Sequence, residues 1–162
     1  MSKSDIVSEE DVTSPLVRSF HRFWKDCRKG SPIPDRAHFT PESLWPWIGR
    51  VLIVDVVDGG RDFFHRIVGT EIVTAVGRDL TRKYVSECDY QIGTEAMLAR
   101  YRETAARAMP TFRKGLMIWA FDRTWIAFES VTAPMGCGSA GVDQLITVID
   151  HPSLPAAQGR VS

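Results

Sequence analysis

Six residues late in the chain, Gly136 to Gly141, have the spacing G-x-G-x-x-G, which can hold the pyrophosphate of a dinucleotide. That chemistry needs a strand before the motif, a helix after it and an acidic residue about 20 positions later. Here β-branched residues follow instead, among them Val142, Ile146 and Val148. The segment is therefore predicted to be a hairpin loop between two strands rather than a nucleotide site.

The residue types that most often bind metals are scattered. The chain has four histidines and three cysteines: His21, His38, His65 and His151, with Cys27, Cys88 and Cys137. No Cys-x-x-Cys pair occurs, and no histidine has ligand spacing to another histidine, cysteine or acid. The sequence predicts neither a metal centre nor a disulfide framework.

No arrangement of residues indicates catalysis. No serine lies in the nucleophile turn G-x-S-x-G. Asp55, Asp79 and Glu129 could meet in space, but nothing in their spacing requires it. We therefore predict no catalytic residues and a protein that is not an enzyme, with an α+β enzyme as the remaining alternative.

Arg66 is the charge that most needs explaining, since it lies in the apolar run from Phe63 to Val68. A permanently charged guanidinium in such a run needs a carboxylate or a ligand anion. Strand alternation points Arg66 outward, toward Glu129 or Asp55 on another strand, or toward the connector. Contact with an anionic ligand is the alternative.

The charge balance limits the possible partners. Twenty basic and twenty acidic residues give a net charge of zero, which removes the general electrostatic argument for nucleic acid or an anionic membrane. The N-terminus is polar and acidic, unlike a signal peptide, and no apolar run approaches the roughly 20 residues of a membrane span. We expect a cytoplasmic, reduced protein without nucleic-acid or membrane partners.

Apolar residues recur at helical spacing between Pro15 and Lys29, after the N-cap signal Ser14-Pro15. The resulting stripe consists of Leu16, Phe20, Phe23 and Trp24. A helix with so much aromatic surface either lies on its own domain or pairs with the same helix of a second chain. The stripe is thus a candidate interaction surface for a homodimer.

The chain divides into four segments: a disordered tail (1–13), an N-terminal helix and Pro-rich connector (14–49), a core (50–151) and a C-terminal tail (152–162). Within the core the patterns predict five strands and two main helices, the latter near 70–77 and 94–109. The strands are predicted at 51–57, 63–68, 111–121, 125–134 and 142–150. This order of elements predicts an α+β domain, with a five-stranded antiparallel sheet in the order 2-1-5-4-3 and helices on one face.

That order is the topology of PAS domains, and the sequence resembles a family of PAS-like proteins found mainly in alphaproteobacteria, most of them without an assigned function. The resemblance covers residues 16–150. It begins with the aromatic helix residues Phe23-Trp24, the connector residues Ile33 to Arg36 and Thr40 to Leu44, and the apolar strand Val51 to Val57. It continues with four groups of residues: Phe63, Arg66, Ile67, Gly69 and Thr70; Gly77 to Thr81 (GRDLT); Glu129, Val131, Pro134 and Met135; and Val142, Asp143, Leu145 and Ile146. Arg82 stands where the family pattern prefers glycine.

The resemblance implies a sensor or regulatory module that binds a small molecule between sheet and helices and signals through contact with a separate effector protein or a second copy. It also implies the alternative of a ligand-free dimerisation module. The candidate ligand contacts are Arg66, Tyr84, Tyr101 and Trp119. No cofactor is identified. The predicted cavity helices contain no histidine for a haem, and Cys88 lies outside the helix where a photoactive flavin domain would need a cysteine.

Overall fold

The computed structural model describes residues 5–120, 122–137 and 141–152. Its centre is a six-stranded sheet in the order β1-β4-β5-β6-β2-β3, with every neighbouring pair antiparallel. The strands are β1 (Ile6–Val7), β2 (Val51–Val57), β3 (Asp62–Val68), β4 (Thr111–Leu116), β5 (Ala127–Gly136) and β6 (Val142–Asp150). The predicted order of the last five strands is confirmed, and β1 is an addition at one edge.

The two faces of the sheet carry separate apolar layers because side chains alternate along each strand. In β6, Leu145 and Ile149 belong to one buried cluster, whereas Ile146 and Val148 belong to the other. Helices α2 (Thr70–Val76) and α3 (Thr94–Arg107) cover the first face. The second face is covered by α1 (Pro15–Cys27) and the connector that follows it.

Helix α1 begins as the sequence predicts. The Ser14 hydroxyl accepts a hydrogen bond from the Val17 amide (3.1 Å) and donates one to Asp150 (2.6 Å), so one residue both caps the helix and ties it to β6. Phe20 and Trp24 are completely or almost completely buried against the sheet, and the Trp24 indole donates to the Pro134 carbonyl (2.9 Å). Of the two alternatives for this helix, the structure shows that it lies on its own domain.

The predicted disordered tail is wrong for residues 5–13. Ile6–Val7 pairs with β4, and the Asp5 carbonyl accepts a hydrogen bond from the Lys114 amide (2.9 Å). Glu9–Asp11 forms a short 3-10 helix, and the Thr13 amide donates to Glu129 (2.7 Å). The polar composition of residues 5–13 did not indicate a folded segment, because most of these bonds are made by the backbone, which any sequence can supply.

Two of the residue groups that carry the family resemblance form backbone turns. A Cβ on Gly69 would lie 2.3 Å from the Gly49 carbonyl oxygen, so only glycine fits where β3 leads into α2. Gly77 closes α2 with φ +88°, in the left-handed region that favours glycine. Asp79 accepts hydrogen bonds from Thr81 and fixes the following turn, while Leu80 is buried in the core.

Arg82 adopts φ +66°, so the chain keeps the left-handed turn although glycine is absent. Its amide donates to the His65 carbonyl (2.8 Å), and the His65 amide donates to the Lys83 carbonyl (3.0 Å). These bonds cover the outer edge of β3, which is otherwise a free sheet edge open to pairing with another chain.

The predicted third strand, 111–121, is too long. β4 ends at Leu116, and hydrogen-bonded turns follow through Ala120; Phe121 lies outside the described residues. The G-x-G-x-x-G segment joins β5 to β6, and Gly136 pairs with Val142, which fits the predicted hairpin. Its residues 138–140, and the C-terminal tail from residue 153, lie outside the described residues. Within the described ranges, no helix is long and apolar enough to cross a membrane.

Candidate functional site

A cavity of about 70 Å³ lies between the first face of the sheet and helices α2 and α3. It is smaller than the cavity of about 150 Å³ that holds benzene in an engineered protein, but larger than the share of one water molecule. Its lining consists of Leu52, His65, Val68, Ile72, Val76, Arg78, Leu80, Tyr90, Met97, Arg100, Tyr101, Thr104, Thr111, Arg113, Trp119, Ser130, Thr132, Thr147 and Ile149.

The sheet supplies a floor that changes from polar to apolar. Thr111, Thr132 and Thr147 stand opposite one another on β4, β5 and β6, and the same row continues into Leu52 and Val68 on β2 and β3. The hydroxyls of Thr132 and Thr147 hydrogen bond at 2.8 Å. Because residues in register share a face, the cavity has a hydroxyl-lined end under β4 and β5 and an aliphatic end under β2 and β3.

Helix α3 supplies the roof through one helical stripe. Met97, Arg100, Tyr101 and Thr104 line the cavity at three- and four-residue spacing. The hydroxyl of Thr104 hydrogen bonds to that of Thr111 (2.7 Å), which joins roof to floor at the polar end. Burial raises the pKa of Tyr101 to about 12, so this residue offers a neutral phenol.

His65 and Tyr90 form a second polar group in the lining. The His65 Nδ1 lies 2.8 Å from the Lys83 carbonyl oxygen and must donate, which leaves Nε2 to accept from the Tyr90 hydroxyl at 3.4 Å. Burial is the main cause that lowers the pKa of His65, and burial also raises the pKa of Tyr90. Both side chains are therefore neutral near pH 7.

Two arginines at the hydroxyl-lined end share one carboxylate. Asp5 Oδ1 lies 2.6 Å from Arg113 Nη1, and Asp5 Oδ2 lies 3.0 Å from Arg100 Nη2. All three side chains are nearly buried, with 6% exposure for Asp5, 13% for Arg113 and 16% for Arg100. The pKa of Arg100 is lowered, first by burial and next by the nearby charge of Arg113. This end of the cavity therefore carries a partly compensated positive charge.

Two of the four predicted ligand contacts, Tyr101 and Trp119, line the cavity, and two do not. Arg66 points away from it and forms an ion pair with Asp55, the structural alternative that strand alternation predicted. Tyr84 is 39% exposed and packs on Phe64 outside the cavity, with ring centroids 5.0 Å apart. Arg66 and Tyr84 are therefore incorrect as cavity contacts.

The predicted interaction stripe is not a free surface either. Phe20 and Trp24 are buried in the second core, and Leu16 and Phe23 pack against that core. Phe23 and Trp47 lie with ring centroids 5.3 Å apart, so the connector covers the part of the stripe that the sheet leaves open. An isolated amphipathic pattern cannot distinguish this intramolecular contact from a dimer contact.

Sequence reasoning missed Asp5, Arg100, Arg113, His65 and Tyr90. Arg100 did carry a signal, since it lies on the helical stripe with Met97 and Tyr101. Arg113 is two residues after Thr111 and so shares its face of β4. The role of Asp5 carried no signal, because it depends on an edge strand that brings residue 5 beside residue 113.

Comparison with known protein families identifies the family of this chain. The family model described as a PAS domain matches residues 12–135. A similar solved structure is that of the PAS domain from Bordetella pertussis BvgS, with a TM-score of 0.44 and 13% sequence identity, covering 88% of this chain and 93% of that one. No curated protein matches the sequence. From the match to most of its length, the chain belongs to the PAS domain family.

Proposed function

We propose that this chain is a sensory or regulatory module that binds a small molecule in the cavity between the sheet and helices α2 and α3. The observation that carries the proposal is the cavity itself, whose lining combines aliphatic side chains with hydroxyls, a histidine and arginines. Binding sites for small molecules have this mixture of apolar walls and a few placed polar groups.

The polar lining is unusual for space that only completes a core. Thr104, Thr111, Ser130 and Thr147 are all buried, at 1–7% exposure. Burying hydroxyls costs free energy unless they find partners. Here Thr104 and Thr111 are partnered with each other, and Thr147 with Thr132, and a hydroxyl can accept a further hydrogen bond from a polar ligand while keeping such a partner.

Binding would be transmitted through the elements that line the cavity. Helix α3 and strand β4 touch both the cavity and solvent, and Asp5, the residue before β1, is joined to both. If these elements change position when the ligand binds, a partner protein or a second copy of the chain would bind them differently. The buried stripe on α1 does not favour the alternative of a dimerisation module.

A substitution on α2 tests whether the cavity is the binding site. Val76 lines the cavity, so Val76→Phe fills part of it and is expected to abolish binding of any ligand found by native mass spectrometry or a thermal-shift screen of metabolites. Val73→Phe is the matched control on the same helix, because Val73 is outside the lining and only half-buried. Equal ligand binding by the two variants would contradict the proposal.

A further inference from the structure

Arg100 and Arg113 have one shared anionic partner. Asp5 is the only carboxylate within 4.0 Å of either guanidinium in residues 5–120, 122–137 and 141–152. Two positive charges therefore face one negative charge in a nearly buried setting. Any departure of Asp5 therefore requires a replacement anion, because an uncompensated buried charge is strongly unfavourable.

The hydrogen bonding between Asp5 and the two arginines is incomplete. Its Oδ1 accepts a hydrogen bond from Arg113, but Oδ2 is buried without a hydrogen-bond partner although Arg100 Nη2 lies 3.0 Å away. Neither arginine holds the carboxylate with two parallel hydrogen bonds, the arrangement that gives arginine its strongest contacts. A free carboxylate, unconstrained by a backbone, can adopt that geometry.

Asp5 directly precedes a short strand at the edge of the sheet. β1 is a two-residue strand at the edge of the sheet, paired only with β4. Local opening concentrates in such short edge segments, since few buried contacts hold them. Release of Asp5 and β1 would leave the pairing of the other five strands intact, since β1 pairs only with β4.

We propose that Arg100 and Arg113 bind the carboxylate of a short-chain monocarboxylic acid, and that Asp5 is an internal anion which this ligand displaces, releasing β1. The inference rests on the proposed function, since it names the ligand class of the same cavity. The hydroxyls of Thr104 and Thr111 lie at the arginine end, and Leu52 and Ile72 receive the alkyl end. A volume of about 70 Å³ limits the ligand to a few heavy atoms.

Titration calorimetry of the full chain with propionate, and with neutral propionamide as the matched ligand control, tests the charge requirement. Propionate is expected to bind and propionamide not. Arg100→Gln and Arg113→Gln are each expected to weaken propionate binding about 10- to 100-fold, the loss of a charge-assisted hydrogen bond. Arg107→Gln, on the solvent side of α3, is the control and is expected to bind as the unaltered chain does.

Asp5→Asn is expected to change propionate affinity in the opposite direction to Arg100→Gln and Arg113→Gln. Removing the internal anion is expected to tighten propionate binding and to enlarge the rise in melting temperature that propionate produces, even if the variant is less stable without it. In the unaltered chain, propionate is expected to speed hydrogen exchange at the Lys114 amide, because that amide loses its bond to the Asp5 carbonyl. Weaker binding by Asp5→Asn, or unchanged exchange at Lys114, would overturn the displacement.

The outcomes separate the two proposals. If a neutral molecule binds, Val76→Phe abolishes that binding and propionate does not bind, the cavity is a ligand site and the carboxylate inference is wrong. If propionate binds equally to Val76→Phe, the anion site lies outside the cavity and the inference is again wrong. If Val76→Phe and Val73→Phe bind every ligand alike, the proposed function itself is wrong.

Discussion

Arg82 shows how a single residue can keep a turn that its type does not favour. Its φ of +66° costs a residue with a Cβ about 1–2 kcal/mol, whereas glycine adopts this conformation freely at a smaller cost in unfolded-state entropy. The turn persists because hydrogen bonds from the Arg82 amide and to the Lys83 carbonyl hold it against β3.

Replacing Arg82 by glycine is therefore expected to raise the free energy of unfolding by up to about 1 kcal/mol. Urea denaturation measures this change. Lys83→Gly is the matched control at the next position, where φ is not positive, and it is expected to lower stability by about 0.5–1 kcal/mol. A loss of stability in both variants would show that the side chain of Arg82, and not its backbone, matters.

Arg66 forms an ion pair at the surface, and its removal is expected to change the stability of the fold only slightly. Its guanidinium pairs with Asp55 in an exposed setting, and Asp55 keeps a hydrogen bond from Gln144 (2.7 Å) when Arg66 is lost. Arg66→Ala is expected to change the unfolding free energy by less than about 1 kcal/mol. Ligand affinity, measured by calorimetry, is expected to stay the same; a weaker affinity would restore Arg66 as a ligand contact.

At the scale of an element, α1 behaves as part of the core. Phe20 is fully buried between the sheet and the connector, with its ring 5.4 Å from that of Trp47 in an edge-on contact. The helix therefore stabilises the fold and is not available for a partner along its aromatic stripe.

Phe20→Ala is expected to lower the unfolding free energy by about 3–5 kcal/mol, since it leaves a cavity in the second core. Chemical denaturation measures the loss. Arg22→Ala, on the exposed side of the same helix, is expected to change stability by no more than about 0.5 kcal/mol. Reduced self-association by Phe20→Ala at unchanged stability would instead support the interaction-helix hypothesis.

At the scale of the whole molecule, the sheet lies between two apolar layers, and each contains a buried histidine. His65 is in the layer under α3, and His21 is in the layer under α1, where its ring contacts Phe112. Burial is the main cause that lowers the pKa of both histidines, and for His21 the charge of Glu9 partly opposes it. Protonation of either histidine therefore destabilises the folded state, because it places a positive charge in a buried apolar layer.

The free energy of unfolding is expected to fall as the pH drops below about 6.5, because the unfolded chain then binds protons that the folded chain does not. Denaturation between pH 8 and about 5 avoids most carboxylate titration, which begins nearer the ordinary carboxyl pKa of about 4. His65→Gln is expected to flatten this slope, and His38→Gln, at an exposed position, to leave it unchanged. Equal slopes in all three proteins would contradict the burial argument.

The sequence by itself determined the elements and much of their arrangement. β-branched runs, Gly77 and the amphipathic stripe of α1 each act over a few residues, so their patterns predicted strands, a helix end and a helix. The order of elements then left few ways to build one antiparallel sheet, which is why the order 2-1-5-4-3 was accessible. In that arrangement, the candidate ligand contacts Tyr101 and Trp119 line the cavity between sheet and helices.

Only the tertiary structure decided which surfaces meet. The partner of the α1 stripe, the exclusion of Arg66 and Tyr84 from the cavity, and the joining of Asp5 to Arg100 and Arg113 depend on contacts between residues far apart in the chain. Local patterns record whether a side chain is suited to burial, but not which distant group it will face. The charged end of the cavity is therefore a property of the folded chain, formed when its first strand reaches the edge of β4.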